Sequence, residues 1–189
     1  MQVRRLGHTM PSANTAAVGQ PGSQGRRILL ADDDRQFLAA TRRLLEGAFP
    51  GATVEAVENG ADALVALHRQ PPDVVVSDLR MPGMDGIELL TAARQTDRDV
   101  PRVLLTAFGD LEVAQRALNE ASIDRLFVKP VNPEELVTAV ATLLVERGSA
   151  RARQQALVRS LDILARPLAE TANLDLGSSR QPRPRFGAR

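Results

Sequence analysis

Between Arg27 and Glu146 the apolar residues of this chain alternate between two patterns. Short runs of Val, Ile and Leu are each followed by a stretch in which apolar positions recur every three or four residues. The runs predict strands at Arg27–Ala31, Thr53–Val57, Val74–Ser77, Val103–Leu105 and Leu126–Val128. The longer stretches predict helices over Arg35–Ala48, Ala61–Arg69, Ile87–Thr96, Leu111–Glu120 and Pro133–Glu146. Asp34, Asp85-Gly86, Asp110 and Asn132, the last ahead of Pro133 in a first turn, supply helix starts. Pro50-Gly51, Asn59-Gly60, Pro71-Pro72 and Pro82-Gly83 punctuate the connections.

Five strands alternating with five helices imply an α/β fold, a doubly wound parallel sheet covered on both faces. Runs 28–31, 74–76 and 103–105 are continuously apolar, as strands buried on both sides should be, whereas Thr53–Val57 alternates and suits a place nearer an edge. Right-handed crossovers leave few topologies, and the common ones put ligands beyond the carboxyl ends of the strands. Asp32, Asp33, Asp78, Thr106 and Lys129 all fall at those ends.

Outside this region the patterns change. Residues 1 to about 25 are rich in Gly, Ser, Pro, Gln and Ala without periodicity and read as a disordered leader. The folded domain spans 26–146, and Gly148-Ser149 is expected to interrupt its last helix. A helical extension over 147–176 carries Leu157, Leu161, Leu164 and Leu168 in a stripe, with Pro167 breaking it near the end. That stripe either packs back on the domain, pairs with its copy in a dimer, or docks on a partner. Residues 177–189, with Arg180, Arg183 and Arg185, two prolines and no acids, read as a disordered basic tail.

Charge sharpens this division. The net of +1 conceals an acidic body, since residues 28–146 hold 20 Asp and Glu against 11 Lys and Arg. Four arginines precede it, and nine follow it against three acids. The absence of cysteine excludes disulfides, thiolate chemistry and cysteine metal sites. No stretch approaches the roughly 18 apolar residues of a membrane span, and no apolar segment follows Arg4-Arg5 as an export signal requires. The expectation is a cytoplasmic protein with no membrane contact. With neither Trp nor Tyr, a nucleic-acid role for the basic arms ranks below a protein contact. His8 and His68 lack metal-ligand companions nearby.

Lys129 is the only lysine beside 23 arginines, which suggests an ammonium retained for chemistry. An aspartate can attack phosphorus to give an acyl phosphate, provided that the charges of carboxylate and phosphate are neutralised. A hard divalent cation with oxygen ligands does this, and Mg²⁺ typically takes one or two carboxylates, phosphate oxygens and waters. In that reading Asp33 and Asp78 are direct ligands, Asp32 holds a coordinated water, and the backbone carbonyl of Arg80 completes the protein's share. Lys129 provides a point charge for one phosphoryl oxygen and Thr106 a hydroxyl for another. Each residue taken singly also has a plain structural role: a helix cap for Asp33-Asp34, a turn for Asp78, a backbone partner for Thr106.

The motifs Ile28-Leu29-Leu30-Ala31-Asp32-Asp33-Asp34, Asp78-Leu79-Arg80-Met81-Pro82-Gly83-Met84-Asp85-Gly86, Leu105-Thr106-Ala107 and Lys129-Pro130 resemble the receiver domain of two-component response regulators. The resemblance covers about residues 26–146. It implies a flavodoxin-like (βα)5 fold of strand order 2-1-3-4-5, with phosphotransfer to Asp78 from a histidine kinase or phosphotransfer protein. It also implies Mg²⁺ dependence and a cis Lys129-Pro130 bond. The family's switch position three residues before the lysine, usually aromatic, is Leu126 here, with Phe127 next to it.

The function expected is that of a stand-alone response regulator. It would accept a phosphoryl group on Asp78, turn over no separate substrate, and signal to a downstream protein or by homodimerising through its last helices. Arg80 and Phe108 flank the site and are expected to obstruct an attacking water by their bulk. The alternatives are a phosphorylation-independent binding module with a vestigial receiver and a small nucleic-acid regulator acting through the basic tail. A phosphatase ranks last, because Arg80 stands where such enzymes carry a second acid.

Overall fold

Ile28, Leu29, Leu30 and Ala31 are wholly excluded from solvent, and they form the strand around which the rest is built. The computed structural model describes residues 25–110, Val113 and residues 121–174, with side chains as far as residue 159. The strands are β1 (Arg27–Ala31), β2 (Thr53–Val57), β3 (Val74–Asp78), β4 (Arg102–Ala107) and β5 (Arg125–Lys129). All pair in parallel in the order β2-β1-β3-β4-β5. This is the expected flavodoxin-like order, with the alternating strand β2 at one edge.

Period-two alternation divides the core between the two faces of the sheet. Leu29, Ala31, Val75 and Leu104 pack with Ala63 and Leu67 of α2 (Gly60–Arg69) and with Leu89, Leu90 and Ala93 of α3 (Gly86–Thr96). Ile28, Leu30, Val74, Val76, Val103 and Leu105 face Leu38 and Leu45 of α1 (Arg35–Ala48) and Leu136, Val140 and Leu143 of α4 (Pro133–Leu174).

The helix starts follow from side-chain capping. The Asp34 carboxylate accepts from the backbone N–H groups of Gln36 and Phe37, and Asn59 does the same for Asp62. Asp85 and Glu88 form a reciprocal capping box, and Asn132 Oδ1 accepts from Glu134 N at 2.9 Å. At the opposite end of the sheet, buried Arg27 donates to Glu55 and to the Ala66 carbonyl, while Arg69 also reaches Glu55.

Three strands outrun the sequence expectation. β3 includes Asp78, β4 runs from Arg102 to Ala107, and β5 runs from Arg125 to Lys129. The ladder is made by backbone groups, so a polar side chain at a strand end does not stop it. At the start of β4, Arg102 is buried because its backbone N–H meets Asp124 Oδ2 at 2.8 Å and its Nε meets the Ser122 carbonyl at 3.0 Å.

The last helix also differs. Helix α4 runs on to Leu174 and does not end at Glu146. A glycine such as Gly148 costs a helix only about 1 kcal/mol, and a proline such as Pro167 removes one hydrogen bond without having to end the ladder. The chain divides into two units after Leu144, and the second is helical as far as Leu174. In that second unit Leu157 is 61% exposed and its neighbour Val158 52%. The side chains of Leu161, Leu164 and Leu168 lie outside the described residues, as do the expected leader, the basic tail, His8 and most of the helix expected at Leu111–Glu120. Among the described residues no helix is long and apolar enough to cross a membrane.

Candidate functional site

The carboxyl ends of β1, β3 and β5 bring three of the anticipated residues into direct contact. Lys129, the last residue of β5, places Nζ 2.7 Å from Asp32 Oδ2 and 2.6 Å from Asp78 Oδ1. Asp32 follows β1 directly and is completely buried, while Asp78 ends β3 and is nearly so. Each carboxylate also accepts a backbone donor: Asp34 N lies 2.9 Å from Asp32 Oδ1, and Arg80 N lies 2.6 Å from Asp78 Oδ2. The Lys129-Pro130 bond is cis.

Burial and pairing pull the charges in opposite directions. Desolvation raises the Asp32 carboxyl above its ordinary value, although Lys129 and the Asp34 N–H oppose it. Burial works against the Lys129 ammonium, yet its hydrogen bonds to Asp32 and Asp78 hold its pKa above the usual lysine value. The ammonium therefore stays charged beside two carboxylates.

The remaining anticipated residues take different positions. Asp33 is exposed beside Asp32. Thr106 is fully buried on β4, and its hydroxyl donates to the Ala107 carbonyl at 3.2 Å, the plain backbone role. Leu126 pairs in register with Leu104 and packs half-buried on the α2–α3 side of the sheet, whereas Phe127 faces the α1–α4 side. The Arg80 side chain extends to Asp110, with Nε 3.1 Å from Oδ1. That contact lowers the Asp110 carboxyl and raises the Arg80 guanidinium. Asp110, expected to start a helix, belongs to a 3₁₀ turn at Phe108–Asp110; the Phe108 side chain lies outside the described residues.

Two further contacts were not apparent in the sequence. Lys129 Nζ stands 4.4 Å from the centroid of the Phe37 ring, in the first turn of α1. Gly86 abuts the backbone of Asp78 so closely that a Cβ there would overlap the Asp78 carbonyl. That carbonyl accepts from Ser77 Oγ at 2.9 Å, and Gly86 N–H is tied to the Leu79 carbonyl at 3.0 Å. The Asp-Gly pair at 85–86 marks a helix start and closes the motif that begins at Asp78, but neither reading places Gly86 against the Asp78 backbone; Phe37 carries no signal.

The donor chemistry fits a hard divalent cation. Asp32, Asp33 and Asp78 offer only oxygens, and the pair meeting at Lys129 carries excess negative charge. Among the described residues no three His, Cys, Asp or Glu side chains converge as a ready-made ligand cluster. Mg²⁺ does not require one, since it takes one or two carboxylates and completes its shell with water and phosphate oxygens.

A family model described as response regulator receiver domain matches residues 28–141. The chain is 37% identical over 136 residues to the DNA-binding transcriptional regulator NtrC of Escherichia coli (strain K12), covering 72% of this chain and 27% of that protein. It is 38% identical over 128 residues to the transcriptional regulatory protein PrrA of Mycobacterium tuberculosis, covering 68% and 54%. The chain thus spans between about a quarter and about half of these relatives' lengths. Among solved structures, a CheY-like response regulator receiver domain protein from Methanospirillum hungatei superposes with a TM-score of 0.61 at 29% identity, over 66% of this chain and 98% of that one. A response regulator receiver domain protein from Clostridium thermocellum gives 0.61 at 25% identity, over 66% and 98%.

Proposed function

Since this chain belongs to the response regulator receiver family, we propose that Asp78 is its phosphoacceptor and that phosphorylation switches the protein's contacts with other proteins. The observation that carries this reading is the Lys129 ammonium, 2.6 Å from Asp78 Oδ1 and 2.7 Å from Asp32 Oδ2.

A carboxylate oxygen of Asp78 attacks the phosphorus of a phosphohistidine on a kinase or phosphotransfer protein. The P–O bond forms as the P–N bond breaks, and the electron pair leaves with the histidine nitrogen. Asp33, Asp78 and the Arg80 carbonyl would hold Mg²⁺, with Asp32 acting through a water, and the ion would supply charge neutralisation for the incoming phosphoryl group. Lys129 gives up one carboxylate contact for a phosphoryl oxygen, which its compact, rotatable ammonium allows. Thr106 turns its hydroxyl from the Ala107 carbonyl toward a second phosphoryl oxygen. Leu126 moves with it as an apolar switch element.

The phosphoryl group passes from the donor to the protein's own Asp78, and beyond that donor the protein turns over no further substrate. Its output runs through a downstream protein or a second copy of the chain, consistent with the exposed Leu157 and Val158. Incubation with acetyl phosphate and Mg²⁺, followed by intact mass and size-exclusion chromatography, tests the proposal. One phosphoryl adduct that requires Mg²⁺ and is absent in Asp78→Asn supports it, and a changed elution volume identifies dimerisation as the output. No adduct, together with unchanged partner binding, favours a constitutive binding module instead.

A further inference from the structure

We propose that Phe37 is a positioning residue for phosphotransfer, its ring serving as the seat on which the Lys129 ammonium rests while its ionic partners change. This rests on the phosphoacceptor reading of Asp78.

A lysine ammonium has three N–H donors. Two of them reach Asp32 Oδ2 and Asp78 Oδ1. The ammonium also stands 4.4 Å from the Phe37 ring centroid, inside the roughly 6 Å over which a ring face attracts a cation. It is therefore enclosed by two carboxylates and one aromatic face, and its side chain is only 24% exposed.

The three contacts respond differently to the reaction. Divalent-cation binding and phosphorylation of Asp78 both change the charge around the carboxylates. The ring is uncharged and its attraction for the ammonium persists. A flexible four-carbon stem would otherwise lose its fixed direction when the ion pairs are exchanged. Phe37 is itself well anchored: its backbone N–H donates to the Asp34 cap at 3.1 Å, and its ring packs half-buried against the core on the α1–α4 side. The segment 32–37 thus provides both the buried carboxylate and the ring that flank Lys129.

The test replaces Phe37 with mono-, di- and trifluorophenylalanine in the full chain, and also makes Phe37→Leu and Phe37→Trp. Fluorination weakens the negative ring face with little change of shape, so it moves a cation–ring contact without repacking the core. The rate of Asp78 phosphorylation by acetyl phosphate, at fixed Mg²⁺, should fall stepwise along the series. Phe37→Leu should be slower by about threefold to tenfold, with Phe37→Trp restoring the rate. Because Lys129 is the only lysine, isotope-labelled lysine gives one side-chain signal, whose ring-current shift should vanish in Phe37→Leu. A labelled wild type with a flat fluorine series, or an unchanged lysine signal, overturns this inference alone. A wild type that takes no label overturns the phosphoacceptor reading and this inference with it.

Discussion

Lys129 Nζ lies 2.6 Å from Asp78 Oδ1, joining the end of edge strand β5 to the end of central strand β3 across the intervening β4. This contact, shared with buried Asp32, means that without a cation a resident ammonium offsets part of the charge of the two carboxylates. Removing that ammonium leaves two poorly solvated negative charges. Lys129→Ala should destabilise the metal-free protein by about 3 kcal/mol, the lower range for breaking a buried pair. Added Mg²⁺ should recover much of this, as read by thermal unfolding with Mg²⁺ and with EDTA. Phosphorylation by acetyl phosphate should slow at least about tenfold, as when a single transition-state donor is lost. Lys129→Arg should restore stability better than rate, because its planar fork cannot substitute for a compact ammonium.

Gly86 is placed where a side chain would displace the Asp78 carbonyl. Gly86→Ala should destabilise by about 2 kcal/mol, as overpacking of a tight site does. It should also reduce Asp78 labelling more than this loss of stability explains. Urea unfolding and initial labelling rates at a temperature where the variant is fully folded separate the two effects.

Glu55 sets a pH dependence away from the site. Burial pushes its carboxyl up, but hydrogen bonds and charge from Arg27 and Arg69 outweigh this and hold it below its ordinary 4.5. A carboxyl lowered in the folded state stabilises above its unfolded pKa, and that stability is lost as pH falls through the lowered value. Glu55→Gln should therefore cost about 2 kcal/mol at pH 7, chiefly by leaving buried Arg27 unpaired. Wild type and variant should converge as the pH drops below about 4.5, the ordinary value. Melting temperatures between pH 3 and 7, taken with EDTA present, check this.

Arg80, tethered to Asp110 beside the site, is proposed to hinder an attacking water together with Phe108. Arg80→Asn with Phe108→Ala should shorten the phosphorylated half-life. An unchanged rate of phosphoryl loss would remove both residues from that role.

The frame of the site was legible because buried parallel strands announce themselves as apolar runs, and Asp32, Asp78 and Lys129 each terminate one. Caps at Asp34, Asp85 and Asn132 were readable for the same reason: a short acceptor ahead of an amphipathic stretch has one local use. Strand ends were misjudged where Arg102 and Asp78 continue the ladder, since backbone pairing does not depend on side-chain polarity. Gly148 and Pro167 weaken a helix without deciding its end, so α4 ran past both. Phe37 was hidden because its contact with Lys129 joins distant parts of the chain, and the same holds for Arg80 and Asp110. On sequence grounds the Thr106 hydroxyl could serve either a phosphoryl oxygen or a backbone group, and in the structure it donates to the Ala107 carbonyl.

The central claim is that Asp78 is the residue that carries the phosphoryl group, and its location can be read directly. Borohydride reduces an aspartyl phosphate to homoserine, so peptide mass mapping after labelling with a small phosphodonor and Mg²⁺ identifies the position. Homoserine is expected at position 78 when Mg²⁺ is present and should be absent when Mg²⁺ is withheld. Homoserine at Asp32, Asp33 or elsewhere, or an adduct formed equally well without Mg²⁺, would contradict it.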